Sequence, residues 1–178
     1  MDRGTYIELD GRPAVRFERT FSHRVERVWR AVTEPAELGR WFPSEVEIEL
    51  VEGGEIRFSG DPHAEGTTGR ILELDPPRRL AFTWSADELH FELEPVGDDG
   101  CRLILINVLE ERDTAARNAA GWAVCLGELD KLVAGERPDG PHSPTAEAWR
   151  PVYEANVAAG MPHGAWLPSE SEEASGRR

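Results

Sequence analysis

The chain is short of positive charge, and nearly all it has is of one kind. Of 20 basic residues among 178, 19 are arginine and Lys131 is the sole lysine, against 34 acidic residues and a formal net charge of −14. Nucleic acid and anionic membrane surfaces call for a basic footprint, so neither is expected as a partner. The near absence of lysine is read as coding bias, not function. Cysteine is also scarce: Cys101 and Cys125 lie in apolar surroundings and form no close pair. Two such thiols support neither a disulfide framework nor a zinc site. The five histidines, His23, His63, His90, His142 and His163, show no metal-ligand spacing. No cofactor and no metal is therefore expected. No apolar run approaches the roughly 20 residues that span a bilayer, and the mean hydropathy is −0.50. The stretch from Met1 to Tyr6 opens no signal segment. The expectation is a soluble, cytoplasmic chain without membrane insertion. Phosphate loops, nucleophile elbows and cysteine motifs are missing as well.

What is present is a change of period along the chain. Residues 14–21, AVRFERTF, alternate as a strand. Val25, Val28, Trp29 and Val32 then share one helical face, with Ser22 as the expected N-cap. Pro35 ends that helix near Thr33 and starts a short second one through Leu38 to Trp41. From Ser44 to Val108 the period is two, in six runs separated chiefly by short turns: EVEIELV, EIRFSG, TTGRILELD, RLAFTWS, ELHFELEPV and CRLILINVL. That predicts an antiparallel meander. After Asp113, an expected N-cap, Ala115, Ala119, Trp122, Leu126, Leu129 and Val133 form a stripe of about six helical turns. Gly121 and Gly127 inside this helix each cost about 1 kcal/mol of propensity, and close packing by the sheet is the expected reason. The stretch ERPDGPHSP, residues 136–144, reads as a linker. A short helix follows with Trp149, Tyr153 and Val157 on one face, and residues 168–178 read as a disordered tail.

The expected fold is α+β: a curved seven-stranded antiparallel sheet wrapped around a long C-terminal helix, with two short helices after the first strand. The domain built on this sheet is assigned to residues 1–135, and residues 136–167 to a linker and helical extension packed on it. The runs FERTFSHRVERVWRAVTEPAELGRWF, EGGEIRF, GRILELDPPRRLAFTW and NAAGWAVCLGELDKLVAG, in that order, resemble the family of homologues of the activator of heat-shock protein 90 ATPase. That family belongs to the START-like, helix-grip (SRPBCC) superfamily. The resemblance covers about residues 13–135 and implies a cavity suited to apolar or amphipathic small molecules. It implies no single reaction, since the superfamily includes carriers, cyclases and interaction modules. Cys101 stands where the family usually has threonine, and Asn107 where it often has a Thr-His pair. An inherited polar ligand contact is therefore not carried over.

Aromatic residues come from every element of this fold. Core filling is the default for each of them, but together they can wall a cavity with a few placed polar groups. The candidate lining is Trp41, Phe42, Phe58, Phe82, Trp84, Phe91, Asn107, Trp122 and Leu126. Arg57, Arg70 and Thr83 are further polar candidates. Trp29 is read as core and Trp41 as standing at the rim of the hollow. No residue is assigned a catalytic role, although His63, with Asp61 and Glu65, could sit at a cavity mouth. The leading expectation is a noncatalytic binder of a small hydrophobic molecule. The alternatives are a cyclase, aromatase or hydrolase using the same cavity, and a heat-shock protein 90 co-chaperone-like partner. A homodimer is a further expectation.

Overall fold

The computed structural model describes residues 2–146 and 148–167. Its strands are β1 (Thr5–Leu9), β2 (Arg12–Phe21), β3 (Glu45–Ile48), β4 (Glu55–Ser59), β5 (Thr67–Asp75), β6 (Arg79–Trp84), β7 (Asp87–Val96) and β8 (Gly100–Val108). Its helices are α1 (Val25–Thr33), α2 (Pro35–Leu38), α3 (Ala115–Val133) and α4 (Trp149–Ala158). The strands form one sheet in the order β1-β2-β8-β7-β6-β5-β4-β3, every pairing antiparallel. The six-strand meander is as expected.

The count is eight strands rather than seven. The additional strand, β1, returns into β2 through Asp10 and Gly11, whose φ values of 51° and 79° suit a two-residue hairpin turn. The two short helices consequently follow the second strand, not the first. Position 14, taken as the start of a strand, lies inside β2, and the expected tail falls outside the described residues.

The helix caps also differ from expectation. Arg24 occupies the N-cap of α1, with no side-chain cap bond, so Ser22 stands outside it. A single 3-10 turn, Arg112–Thr114, contains Asp113 and runs straight into α3. The stripe on α3 is buried as expected, yet Ala116, Ala120, Ala123 and Val124 on its other sides are buried too. An apolar surface this much wider than one stripe must be covered by more than one neighbour. The sheet covers one flank, and α4 covers another with Val152 buried and Asn156 Nδ2 donating to Ala116 O at 3.4 Å. The deepest residues of α4 are thus Val152 and Asn156, while Trp149, Tyr153 and Val157 are partly buried. Pro151 falls in the first turn of α4, where its missing N–H costs nothing.

Close packing does not account for Gly121 and Gly127. A Cβ added at either would meet no atom within 4 Å. A close approach is instead seen at Gly69 on β5, among other glycines, where a Cβ would fall on the Thr83 carbonyl of β6.

Strand pairing sets which side chains face α3. Phe82, Leu89, Asn107 and Val15 lie in register across β6, β7, β8 and β2, and Leu80, Phe91, Leu105 and Phe17 form the next row. Both rows are buried. The alternate residues form the outer face, a lattice of ion pairs: Arg12 with Glu88, Arg16 with Glu18, Arg79 with Glu73, and Arg102 with Glu94. Such exposed pairs are worth little singly.

Candidate functional site

Between α3 and the meander half of the sheet lies a continuous aromatic cluster. Its hub is Phe42, just past α2, whose ring meets those of Trp41, Phe58, Phe82, Trp84 and Trp122 at centroid distances of 5.4–6.4 Å. Phe91 joins through Trp41 and Phe82. The nine candidate residues are therefore brought together on the inner face of the grip. All are buried except Trp84, which is partly exposed. Arg57 and Arg70 point to solvent, and Thr83 Oγ1 accepts from the Arg70 amide at 2.9 Å. Among the four polar candidates, only Asn107 faces α3.

Two tryptophans occupy the reverse of their expected places. Trp41 is 0% exposed, while Trp29 is only partly buried. Trp41 Nε1 donates to Ala31 O at 2.8 Å. The last carbonyls of a helix lack partners within it, so this indole satisfies an end group of α1. Helical spacing placed Trp29 on the buried face, but it lies at that face's edge.

Asn107, also 0% exposed, centres a polar network at one end of the cluster. Its Oδ1 accepts from Trp122 Nε1 at 3.0 Å and Asn118 Nδ2 at 3.1 Å. Its Nδ2 donates to Asp87 Oδ2 at 3.0 Å, an oxygen that also accepts from Asn118. Asp87 Oδ1 accepts from the Glu110 amide at 3.0 Å. The carboxylate thus holds three N–H groups, and the network fixes the Trp122 ring. Asn118 was not singled out in the sequence. Its position four residues before Trp122, on the same helical face, is the signal that points to it.

At Phe42, itself only 2% exposed, the aromatic cluster backs onto a surface cleft. This cleft, of about 480 Å³, opens between the α2–β3 connection and the segment 139–143. Phe42, Ser44 and Glu45 line one side, and Asp139, Gly140 and His142 the other. The linker is held across this cleft by Glu128 of α3, which is 2% exposed. One oxygen of Glu128 accepts from the amides of Asp139 and Gly140 at 2.8 and 3.0 Å, and the other from Lys131 Nζ at 2.6 Å. His142 Nε2 donates to Pro43 O at 2.8 Å, and its ring lies 5.5 Å from that of His63. The His63 amide donates to Asp61 Oδ1 at 2.8 Å. His63 therefore does stand beside a cleft, with His142 and Asp61 as its neighbours. A second cleft of about 360 Å³ lies at Arg112, Asp113 and residues 160–163, away from the aromatic rings.

Burial pushes the Cys101 thiol up to about 11 and the Cys125 thiol further still. Both stay protonated at neutral pH, as inert core thiols do. Among the described residues no group of three or more histidine, cysteine or acidic side chains could hold a metal ion. No helix there is long and apolar enough to cross a membrane.

The helix-grip arrangement agrees with a family model described as "Activator of Hsp90 ATPase homolog 1-like protein", which matches residues 22–134. The chain belongs to that family. Its architecture is shared by EF2215, a conserved protein of unknown function from Enterococcus faecalis. The two are 24% identical with a TM-score of 0.73, over 91% of this chain and 92% of that one. CalU16 from Micromonospora echinospora is 24% identical with a TM-score of 0.68, over 89% and 95%. DynU16, a protein of the dynemicin biosynthetic locus, is 23% identical with a TM-score of 0.61, over 71% and 50%. Likeness at this identity establishes the fold. Among curated proteins, none matches the sequence. The family and its helix-grip architecture make this a ligand-binding fold in general. Neither a chaperone partner nor a homodimer gains support from the fold or from the match.

Proposed function

We propose that this chain is a noncatalytic binder of a small hydrophobic or amphipathic molecule, seated between α3 and the sheet and entered past Phe42. The observation that carries this reading is the double role of Phe42, which lines the cleft and is also the hub of the aromatic cluster. An apolar molecule that turns the Phe42 ring aside reaches Phe58, Phe82, Trp84 and Trp122 without crossing a polar layer. Deeper in, the Asn107 carboxamide supplies the kind of placed polar group that orients ligands in mostly apolar pockets. The titratable group at this network, Asp87, is occupied by three N–H donors, which supports binding over catalysis.

Native mass spectrometry and thermal-shift measurements against lipids, polyketides and aromatic acids test the reading. At a ligand concentration one hundred times Kd, binding to the native state adds about 2.7 kcal/mol, a shift of several degrees in Tm. Phe42→Ala is expected to change affinity at least tenfold, while Leu72→Ala, on the exposed outer surface, leaves it unchanged. Absence of any shift across all three classes counts against a binder.

A further inference from the structure

The cleft beside Phe42 carries chemistry of its own, distinct from the aromatic cluster behind it. Its lining includes the carboxylates of Glu45 and Asp139 and no lysine or arginine. Glu45 has no ion-pair or hydrogen-bond partner for its carboxylate among the described residues, and Asp139 accepts one hydrogen bond, from Thr145 Oγ1 at 2.7 Å. Asp61 adjoins the same rim, 3.9 Å from His142 Nε2. The arginine next in sequence, Arg40, is exposed and outside the lining. A second observation is independent of these charges. Ser44 is only 6% exposed, it lines the cleft, and its hydroxyl makes no hydrogen bond among the described residues. The hydroxyl of this nearly buried residue has no protein partner and is not among the fully enclosed polar atoms, so it is a donor and acceptor left open to the cleft.

We infer that this cleft is the head-group site for the same ligand, and that the ligand is an amphipathic amine: a protonated nitrogen between Glu45 and Asp139, hydrogen-bonded through Ser44, with an apolar body against Phe42. The inference rests on the binder reading above. A cation here meets two carboxylates at once; both belong to exposed residues, so the preference rests on their shared sign beside the apolar wall at Phe42 rather than on burial. An anion meets two carboxylates there, while the nearby bases are already engaged, His142 on Pro43 O and Lys131 on Glu128, and a neutral hydroxyl has only serine hydroxyls to meet. The volume of about 480 Å³ falls in the range of small-molecule sites.

The experiment compares three probes with one aromatic body: 2-naphthylmethylamine, 2-naphthylmethanol and 2-naphthoic acid. Each is titrated calorimetrically into the full chain, with the Gly60 and Gly140 amide resonances locating the site. The amine is expected to bind at least tenfold tighter than the alcohol, and the acid more weakly than either. Glu45→Gln should cut the amine's advantage several-fold, and Glu45→Gln with Asp139→Asn should bring the two within about threefold. Ser44→Ala should weaken the amine and the alcohol alike. Glu52→Gln, an exposed change elsewhere, controls for the general field of an acidic protein and should leave the preference intact. Equal binding of amine and alcohol to the unaltered chain overturns the amine assignment and leaves the binder reading standing. So does a preference that survives the double variant or falls equally with Glu52→Gln. If none of the three binds, the binder reading itself loses its support, and this inference falls with it.

Discussion

Two parts of the C-terminal extension lie on the grip and are held by different means. Residues 159–165 join the start of α3 through backbone: Ala116 N donates to Pro162 O, Ala165 N donates to Asp113 O, and Met161 is buried in the core. Residues 138–143 cross the Phe42 cleft and hang on side chains, chiefly the Glu128 carboxylate and His142. The first contact is continuous with the core and should yield only when the core does. The second depends on a few polar atoms and can open while the rest stays folded. A strap of this second kind is what a binding site needs at its entrance, and it lies over the cleft with the aromatic floor.

The contrast is sharpest for Met161→Ala, which should cost about 2–4 kcal/mol in denaturant unfolding as a buried side chain is lost. A loss of amide protection confined to residues 159–165, with global stability unchanged, would put the two contacts in the same class. Trp41→Phe tests the floor beneath the strap. It leaves Ala31 O without its indole partner and should cost about 1–3 kcal/mol. Glu128→Ala should have a smaller global effect, of the order of 1 kcal/mol. Its expected signature is local: hydrogen exchange at the Asp139 and Gly140 amides accelerates strongly, and exchange at Ala116 does not. Protection lost equally at both places breaks the distinction. The smallest effect belongs to Gly121→Ala, which should stabilise the chain by about 0.5–1 kcal/mol, because the helix gains propensity and the methyl group meets open space.

The elements that were legible from sequence depend on neighbours along the chain. Alternation in the six runs from Glu45 to Val108 reports local geometry directly, as does the proline that divides α1 from α2. β1 was legible in principle, since Asp10-Gly11 between TYIEL and RPAVRF is a strong hairpin signal. The depth of Trp41 was not legible. It is set by Phe91 and by the carbonyl end of α1, which no local period reports. The glycines of α3 mislead because a propensity cost is not evidence of contact, and an added Cβ at either would meet open space. That these aromatic residues would meet was legible, because rings on inward strand faces converge whatever the exact pairing; that they line a ligand site belongs to the proposal. The strap was not. Its hold on α3 joins Glu128 to amides 11 and 12 residues away, and its hold on the α2–β3 connection joins His142 to a carbonyl 99 residues back. The trace it leaves is an acidic residue at Glu128, set among Cys125, Leu126 and Leu129 on the buried side of the helix.

The strand order has a consequence for how the chain reaches this form. β1 and β2 close on each other at once through a two-residue turn, but the other side of β2 has no partner until β8 is made, some 80 residues later. The meander from β3 to β8 can assemble locally in the meantime, each strand finding the one before it. Pairings of such long sequence separation are slow to form, because closing the loop costs entropy before any contact repays it. The expected order of assembly is a free N-terminal hairpin, a separate meander, and a late docking of the two that builds the surface on which α3 settles. Strand-pairing variants in β2 and β8 should therefore slow refolding more than equally destabilising variants in the β1–β2 turn, and stopped-flow rates would read that difference.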